Sequence, residues 1–205
     1  MRGHRQSLSA IFLEDVLGES ESAEQEVEHV FYGKVADANQ LIELSKQPFC
    51  TKILQEQFQV KLDLGKMSDK MSKTVRVRRV NGDKTVLVSK TWVEGQDGMH
   101  ESKPIEVGND IFEFFRSLAG EGLAKMRYVI QPEGWPRKLE FDLFLDEKGQ
   151  PTGYGKFDYE VKTEDEKPPM LPVTLTDLKH FNPFRHTDAD RALMRQFMES
   201  QGFRV

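Results

Sequence analysis

The sequence is poor in cysteine, contains no long apolar run and has no excess of positive charge. Cys50 is the single cysteine among 205 residues. It excludes an intramolecular disulfide and a thiolate zinc cluster, and it is typical of a reducing, cytoplasmic environment. No apolar run approaches the roughly 20 residues that cross a bilayer, so we expect no contact with a membrane. The formal net charge of -5 argues against a general DNA-binding protein.

Common catalytic motifs are also absent. The chain contains neither the Gly-x4-Gly-Lys-Ser/Thr phosphate loop nor the Gly-x-Ser-x-Gly nucleophile elbow. His180 and His186 have no cysteine or third histidine beside them, and we interpret them as surface or capping residues. Any chemistry must therefore come from a different arrangement of side chains.

Charged residues of one sign occur in pairs within five short apolar or aromatic runs. Because successive side chains of a strand point to opposite faces, each pair places both charges on one face. Two like charges about 6 to 7 Å apart repel each other unless an opposite charge lies near them. The pairs are Glu26-Val27-Glu28, Arg76-Val77-Arg78, Lys125-Met126-Arg127, Glu140-Phe141-Asp142 and Asp158-Tyr159-Glu160.

Two interpretations of these pairs remain open. The solvent-exposed face of an antiparallel sheet also alternates apolar and charged residues, which is sufficient for any single pair. Such a face, however, favours mixed signs that can pair across strands. If the five strands share one concave surface, their carboxylates can bind a divalent cation and their basic groups a polyanion. That combination indicates phosphate chemistry.

The local patterns predict a chain made mostly of strands. Asn81-Gly82 lies between two β-rich runs and predicts a tight hairpin. Asp37 and Thr187 are predicted helix caps, and Asn109 or Asp110 is a third. Strands are expected near 24–35, 55–64, 74–80, 85–92, 124–131, 138–146 and 154–162, and helices near 38–47, 110–118 and 188–200.

The charged strand faces decide the expected architecture. They must face bulk water or enclose a wet interior, because they cannot pack against a hydrophobic layer. We therefore predict an α+β fold, an antiparallel closed β-barrel with a charged interior, or tunnel, flanked by helices that cover its apolar outer face. The barrel domain spans 23–165. Residues 1–22 are a flexible N-terminal lead, and 166–205 are a C-terminal connector and a helix that packs on the barrel.

The order of the charged motifs resembles the CYTH family, also called triphosphate tunnel metalloenzymes. The family opens with a Glu-x-Glu-x-Lys strand, which Glu26 and Glu28 match. Val30 stands at the lysine position, and Lys34 would lie on the same face and partly replace that cation. The later family strands are similar to Arg76-Val-Arg78, the strand ending in Lys90, Lys125-Met-Arg127-Tyr128, Glu140-Phe-Asp142-Leu-Phe144 and Asp158-Tyr-Glu160.

The resemblance implies a hydrolase that cleaves a phosphoanhydride bond of an inorganic or organic triphosphate, with Mg²⁺ or Mn²⁺ as cofactor. It implies three sets of site residues. The metal ligands are Glu26, Glu28, Glu140, Asp142, Asp158 and Glu160. The substrate-binding residues are Lys34, Arg76, Arg78, Lys90, Lys125 and Arg127. Glu26, Glu28 and Lys90 are the implied catalytic residues.

Two other functions remain open at this stage. One is an adenylate cyclase of the class IV type, which resembles the same family and cyclises ATP. The other is a non-catalytic tunnel that binds a triphosphate, a nucleotide or an RNA 5′ end. The expected partner is in each case a phosphorylated ligand. The sequence does not select the substrate, and the oligomeric state is unknown from it.

Overall fold

The computed structural model describes residues 24–62, 71–93, 99–119 and 122–201. The side chains of 24–26, 61–62, 71–73, 90–93 and 99–101 are outside that description. The predicted lead, residues 1–22, also lies outside the described residues. The strands are β1 (Glu24–Glu26), β2 (Glu28–Val35), β3 (Cys50–Leu62), β4 (Met71–Val80), β5 (Lys84–Val93), β6 (Met99–Glu101), β7 (Ile105–Val107), β8 (Leu123–Ile130), β9 (Leu139–Leu145), β10 (Pro151–Glu160) and β11 (Leu175–Phe181). The helices are α1 (Asn39–Ser45), α2 (Asn109–Ala119) and α3 (Asp188–Ser200).

The strands form one antiparallel sheet. Its order is β1-β6-β5-β4-β3-β8-β9-β10-β2-β11, and β7 also pairs with β5. The α+β class and the antiparallel sheet are thus confirmed. Hydrogen bonds between the described strands do not close the sheet into a barrel, so closure remains a prediction. β1 is the strand at one edge of the sheet, and β2 is the neighbour of β11, the strand at the opposite edge. Only Val27 separates β1 from β2 in the sequence, so the chain connects the two sides of the sheet directly.

The predicted hairpin is present between β4 and β5. Asn81 has φ 50° and Gly82 has φ 80°, left-handed conformations typical of tight hairpin turns, and the Asp83 N–H donates to the Val80 carbonyl at 3.1 Å. The Asn81 side chain also accepts a hydrogen bond from the Leu54 N–H at 2.9 Å, which ties the turn to β3. Turn chemistry readable in the sequence therefore sets the register of two central strands.

The sheet has a polar face and an apolar face. We call polar the face that carries Glu28, Asp158, Asp142, Arg127 and Arg78, which the register places on the same side of neighbouring strands. The alternate residues form two clusters on the apolar face. α1 covers one cluster and α2 covers the other, as predicted. The first contains Leu41, Leu44, Tyr128, Phe141, Phe157 and Tyr159, and the second Phe58, Val77, Leu87, Phe112 and Phe115.

Helix α3 packs against the polar face, which corrects the prediction that it covers the apolar one. Its Phe197 ring lies 4.6 Å from the ring of Tyr32, 5.9 Å from that of Phe144 and 6.2 Å from that of Tyr154. These three aromatic residues stand at one end of the polar face. α3 can pack here because the side chains that Phe197 meets at this end of the polar face are aromatic rather than charged. The predicted start of α3 is confirmed, because Thr187 forms a capping box with Asp190.

Several local features differ from the sequence prediction: β6 and β7 lie outside the expected strands, and β3 begins at Cys50 rather than near residue 55. β11 lies within the segment expected to be a connector, and its register shifts between Thr176 and Lys179. Asp177 between them has φ 53°, so the strand carries no regular alternation that sequence reasoning would detect. The N-cap of α1 is Ala38 rather than Asp37, although the Asp37 carboxylate accepts from the Asn39 N–H at 2.9 Å.

His180 lies at the exposed surface of β11, as predicted, and it also contacts the neighbouring strand β2. Its ring stacks on Phe31 at 4.1 Å, and its Nε2 lies 3.0 Å from Nδ1 of His29. Burial lowers the pKa of both histidines.

The sequence predicted no membrane-spanning segment. None of the helices in the described part of the chain has the length and apolar character to cross a bilayer.

Candidate functional site

Six charged side chains form a compact group at the centre of the polar face. We call them the central cluster. It contains three basic and three acidic residues, so its formal charge is zero without any ligand. Its members are Lys125, Arg127, Glu140, Asp142, Lys156 and Asp158. β8, β9 and β10 supply two each, and the antiparallel register places Asp142 directly opposite both Arg127 and Lys156.

Asp142 is the fully buried acceptor of this cluster. Its Oδ2 lies 2.5 Å from Nζ of Lys125 and 2.8 Å from Nη2 of Arg127, and its Oδ1 accepts from Nε of Arg127 at 2.6 Å. Burial alone would raise the pKa of Asp142, but the two basic groups lower it well below its usual range. Asp142 therefore remains ionised and holds two cations in place.

Arg127 connects the three acidic residues of the cluster. Besides its two bonds to Asp142 it donates to Glu140, and its Nη2 lies 3.8 Å from Oδ2 of Asp158. Burial acts to lower the pKa of Arg127, but the surrounding carboxylates raise it. Glu140 also accepts from Lys138 at 2.6 Å. A guanidinium with so many fixed partners is a rigid part of the site.

The two lysines of the cluster differ in their electrostatic surroundings. Burial lowers the pKa of Lys125 to about 7, although Asp142 acts in the opposite direction. For Lys156 burial also acts to lower the pKa, but Asp158, Asp142 and Glu28 together raise it. Lys156 therefore keeps its charge, because the three acidic groups outweigh both its burial and the nearby Arg127.

The acidic end of the polar face lies where β2 pairs with β10. Glu28 is directly opposite Glu160, and Asp158 is directly opposite the apolar Val30. Directly opposed carboxylates repel each other unless a cation lies close. Asp158 Oδ2 binds Lys156, whereas Oδ1 is buried and has no hydrogen-bond partner within the described residues.

A hard divalent cation fits the chemistry of this acidic end. Mg²⁺ and Mn²⁺ prefer carboxylate oxygens, and the unsatisfied Oδ1 of Asp158 is such a donor. Among the described side chains, no group of three or more His, Cys, Asp or Glu residues is already arranged to hold a metal ion. Glu26 lies in β1 opposite Met99, and its side chain is outside the description.

The basic end of the polar face lies on β4, next to the glutamines of β3. Arg76 is buried, with 8% of its surface exposed, and Arg78 is partly buried. In register, Gln59 lies opposite Arg76, and Gln57 opposite Arg78. Predicted residue Lys90 occupies a position on the same face opposite Thr74, but its side chain is outside the description.

Lys34 lies away from the central cluster. It is exposed near the end of β2, where it stands opposite Tyr154 and Thr176. It shares the polar face with Glu28, but the ammonium beside Asp158 belongs to Lys156 instead. The other predicted site residues whose side chains the structure describes all lie on the polar face. They are Glu28, Arg76, Arg78, Lys125, Arg127, Glu140, Asp142, Asp158 and Glu160.

Sequence reasoning missed Lys156, Gln55 and Gln57. Gln55 and Gln57 are buried on the polar face, and Gln55 lies directly opposite Lys125. Their amide oxygens have no partner within the described residues. All three nevertheless show the two-residue spacing of side chains on one strand face: Lys156 precedes Asp158 by two residues, and Gln55 precedes Gln57 by two. Neutral amides and a mixed-charge run fall outside a search for like-charged pairs.

Comparisons with known proteins yield similarity only among solved structures. The sequence matches no protein-family model, and a search of curated proteins finds no significant relative. HpAC1 from Hippeastrum, an adenylyl cyclase candidate described as having a dominant triphosphatase activity, is 15% identical; the match covers 86% of this chain and 88% of that one, with a TM-score of 0.43. Hypothetical protein NE1496 is 18% identical over 73% of this chain and 87% of its own, with a TM-score of 0.41.

The third solved structure is that of the PH1819 protein from Pyrococcus horikoshii OT3. It is 16% identical, covers 86% of this chain and 91% of its own, and has a TM-score of 0.40. At these identities the similarity concerns the course of the chain and no individual residue. The solved structures that this chain is similar to include CYTH-type proteins, at the level of the fold.

Proposed function

We propose that the protein is a metal-dependent triphosphatase that binds a triphosphate on the polar face of its sheet. The observation that carries this proposal is the register of the sheet. It places the acidic residues of β2, β9 and β10 and the basic residues of β4 and β8 on one surface. A row of like-charged pairs thus becomes a surface with an acidic end, a neutral centre and a basic end.

The basic end has the chemistry to hold the phosphates. Arg76 and Arg78 carry planar guanidinium groups, which suit bidentate contacts with phosphate oxygens. Lys125 lies between them and the acidic residues, across β3. Lys90 and Lys34 are proposed to extend this surface. Arg127 is held by carboxylates and contributes fixed positive charge close to the bound chain of phosphates.

The acidic end would hold Mg²⁺ or Mn²⁺. Asp158, Glu28 and Glu160 are the proposed ligands, with Glu26 joining them from β1. Asp142 and Glu140 have a different role in this proposal, because they keep Arg127 and Lys125 in position. When bound, the cation supplies positive charge that offsets the repulsion between Glu28 and Glu160 and neutralises phosphate oxygens.

We also propose that the sheet closes into a tunnel around the polar face. The support is the continuity of the chain through Val27, which links β1, paired with β6, to β2, paired with β10. An enclosed face would exclude bulk water from the charged cluster and strengthen its electrostatic interactions. It would also explain how ion pairs such as Lys125 with Asp142 are buried within a charged face.

Hydrolysis requires mainly positioning and charge stabilisation from these residues. A water oxygen forms a bond to phosphorus, the bridging phosphoanhydride P–O bond breaks, and the departing phosphate keeps that bonding electron pair. Glu28 and Glu26 are proposed to orient the water and receive its proton. The basic residues, with Lys90 among them, stabilise the charge that develops on the phosphate oxygens.

The test is incubation of the purified protein with Mg²⁺ or Mn²⁺ and a panel of tripolyphosphate, thiamine triphosphate and nucleoside triphosphates. We expect orthophosphate release that stops when EDTA removes the metal. The Arg76→Ala and Glu28→Gln variants should each lose at least about tenfold in kcat/KM, because each removes a charge-assisted contact. Lys148→Ala, in an exposed turn, is the matched control and should behave as wild type.

The remaining results each identify a different function. Cyclic AMP formed from ATP would instead establish a cyclase. Tight triphosphate binding without turnover would establish a binding protein, for which the apolar Val30 opposite Asp158 is the supporting observation. The polar face is excluded as the site if Arg76→Ala and Glu28→Gln leave both triphosphate binding and turnover unchanged.

A further inference from the structure

Lys156 occupies the position in the polar face where a cation is most needed. It extends from β10 between Tyr32 on one side and Asp142 on the other. Its Nζ donates to Oδ2 of Asp158 and lies 3.9 Å from Oδ2 of Asp142. The strand position opposite Asp158 is filled by Val30, which offers no charge. Lys156 is thus the lysine that balances Asp158.

The attachment of Lys156 differs from that of the other basic residues. Arg127 is held by two bonds to Asp142 and another to Glu140, and Lys125 is held by Asp142. A guanidinium bound in this way cannot change partners without breaking several bonds. Lys156 is a compact charge on a flexible stem with three donors, so its ammonium can rotate to a new acceptor while the backbone stays in place.

Asp158 is the group that determines which partner Lys156 takes. One of its oxygens binds Lys156, and the other is buried and unsatisfied within the described residues. A divalent cation bound at the unsatisfied oxygen would compete with the ammonium for the carboxylate charge. The partly buried ammonium would then lose its closest partner and turn to another anion, since a charge without a close partner is costly in such a setting.

We propose that Lys156 is an exchangeable counter-cation of the triphosphate site. In the free protein it neutralises Asp158. When a divalent cation binds to Asp158, Lys156 transfers its hydrogen bond to an oxygen of the polyphosphate and takes the role that the apolar Val30 cannot fill. This inference rests on the proposed triphosphate function and adds an order to ligand binding, because the metal prepares Lys156 to receive the phosphates.

The two ligands should respond in opposite directions when the charge of Lys156 is removed. Lys156→Gln keeps an N–H donor for Asp158 but lacks the ammonium. Mn²⁺ affinity without triphosphate should rise, because a competing positive charge is gone. Tripolyphosphate affinity at saturating Mn²⁺ should fall by roughly ten- to a hundredfold, the effect of losing one charge-assisted hydrogen bond. Isothermal titration calorimetry measures both affinities.

Two further variants separate this role from a merely structural one. Lys156→Arg keeps the charge and should retain more of the tripolyphosphate affinity than Lys156→Gln. Lys148→Gln makes the same charge change in an exposed turn and should leave both affinities at the wild-type value. Urea unfolding of each variant establishes that the fold is intact. If Lys156→Gln does not fold, Lys156→Arg is compared with wild type instead. Because this variant keeps the positive charge, its Mn²⁺ affinity without triphosphate should equal that of wild type.

The outcomes distinguish this inference from the function on which it rests. The proposal that Lys156 exchanges partners is wrong if wild type binds both ligands and Lys156→Gln lowers both affinities or changes neither. In that case the triphosphate function stands. If wild type binds neither Mn²⁺ nor tripolyphosphate, the proposed function fails and the exchange fails with it.

Discussion

At the scale of single residues, the burial of charge is the feature that distinguishes this sheet. Asp142 is fully buried and contacts Lys125 and Arg127, whereas the pair of Lys84 and Glu106 lies at the surface at 3.2 Å. An exposed ion pair stabilises a protein little, because water screens it and the side chains lose entropy. Removing one member of a buried pair is far more costly, since the other charge stays buried and unpaired.

Substitution of Arg127 tests this difference. We expect Arg127→Met to lower the free energy of unfolding by about 3 to 5 kcal/mol, because Asp142 and Glu140 each lose a partner in a buried setting. Lys84→Met is the matched control and should cost about 0 to 1 kcal/mol. Urea unfolding at neutral pH measures both. Equal costs for the two variants would contradict the assignment of the central cluster as a buried network.

At the scale of elements, α3 makes its most specific contact through one aromatic residue. Phe197 lies against Tyr32, Phe144 and Tyr154, while Leu193, one turn earlier in the same helix, is half exposed. Gln201, just beyond the helix, adds a contact between its Oε1 and the Thr152 hydroxyl at 3.1 Å. The helix should therefore depend on Phe197 for its attachment to the polar face.

Truncation of Phe197 should detach α3 without unfolding the sheet. Phe197→Ala is expected to increase amide hydrogen exchange throughout α3, because a helix of 13 residues is marginal without tertiary packing. Its cost in the free energy of unfolding should be about 1 to 3 kcal/mol, below the range of fully buried phenylalanines because the site is partly exposed. The control is Leu193→Ala, for which exchange should stay at the wild-type rate. Unchanged exchange in Phe197→Ala would show that other contacts hold the helix.

At the scale of the whole molecule, the central cluster makes stability depend on pH. Basic neighbours hold the pKa values of Asp142 and Glu140 below their ordinary range, although burial opposes this. A carboxyl group whose pKa is lowered in the folded state stabilises the protein above its unfolded pKa, about 3.9 for Asp and 4.3 for Glu. That contribution disappears as the pH falls through the lower, folded values.

We therefore expect acid to weaken the fold progressively below about pH 4. The urea midpoint should fall between pH 6 and pH 3. Asp142→Asn should be less stable than wild type at pH 6 but show a smaller fall, because the titrating group is gone. Glu147→Gln, in an exposed turn, should keep the wild-type dependence. An Asp142→Asn variant with the full wild-type fall would show that Asp142 does not contribute to the acid sensitivity.

The sequence by itself determined most of the strands, the β4–β5 hairpin and the pairs of charges on one face of a strand. These are local properties, because Asn-Gly turn geometry and the two-residue alternation of strands act over a few positions. The tertiary structure alone decided that β2, β4, β8, β9 and β10 share a polar face, that α3 packs on it, and that Lys156 rather than Lys34 contacts Asp158. These depend on strand order and register, which join residues more than a hundred positions apart and leave no signature within any single strand.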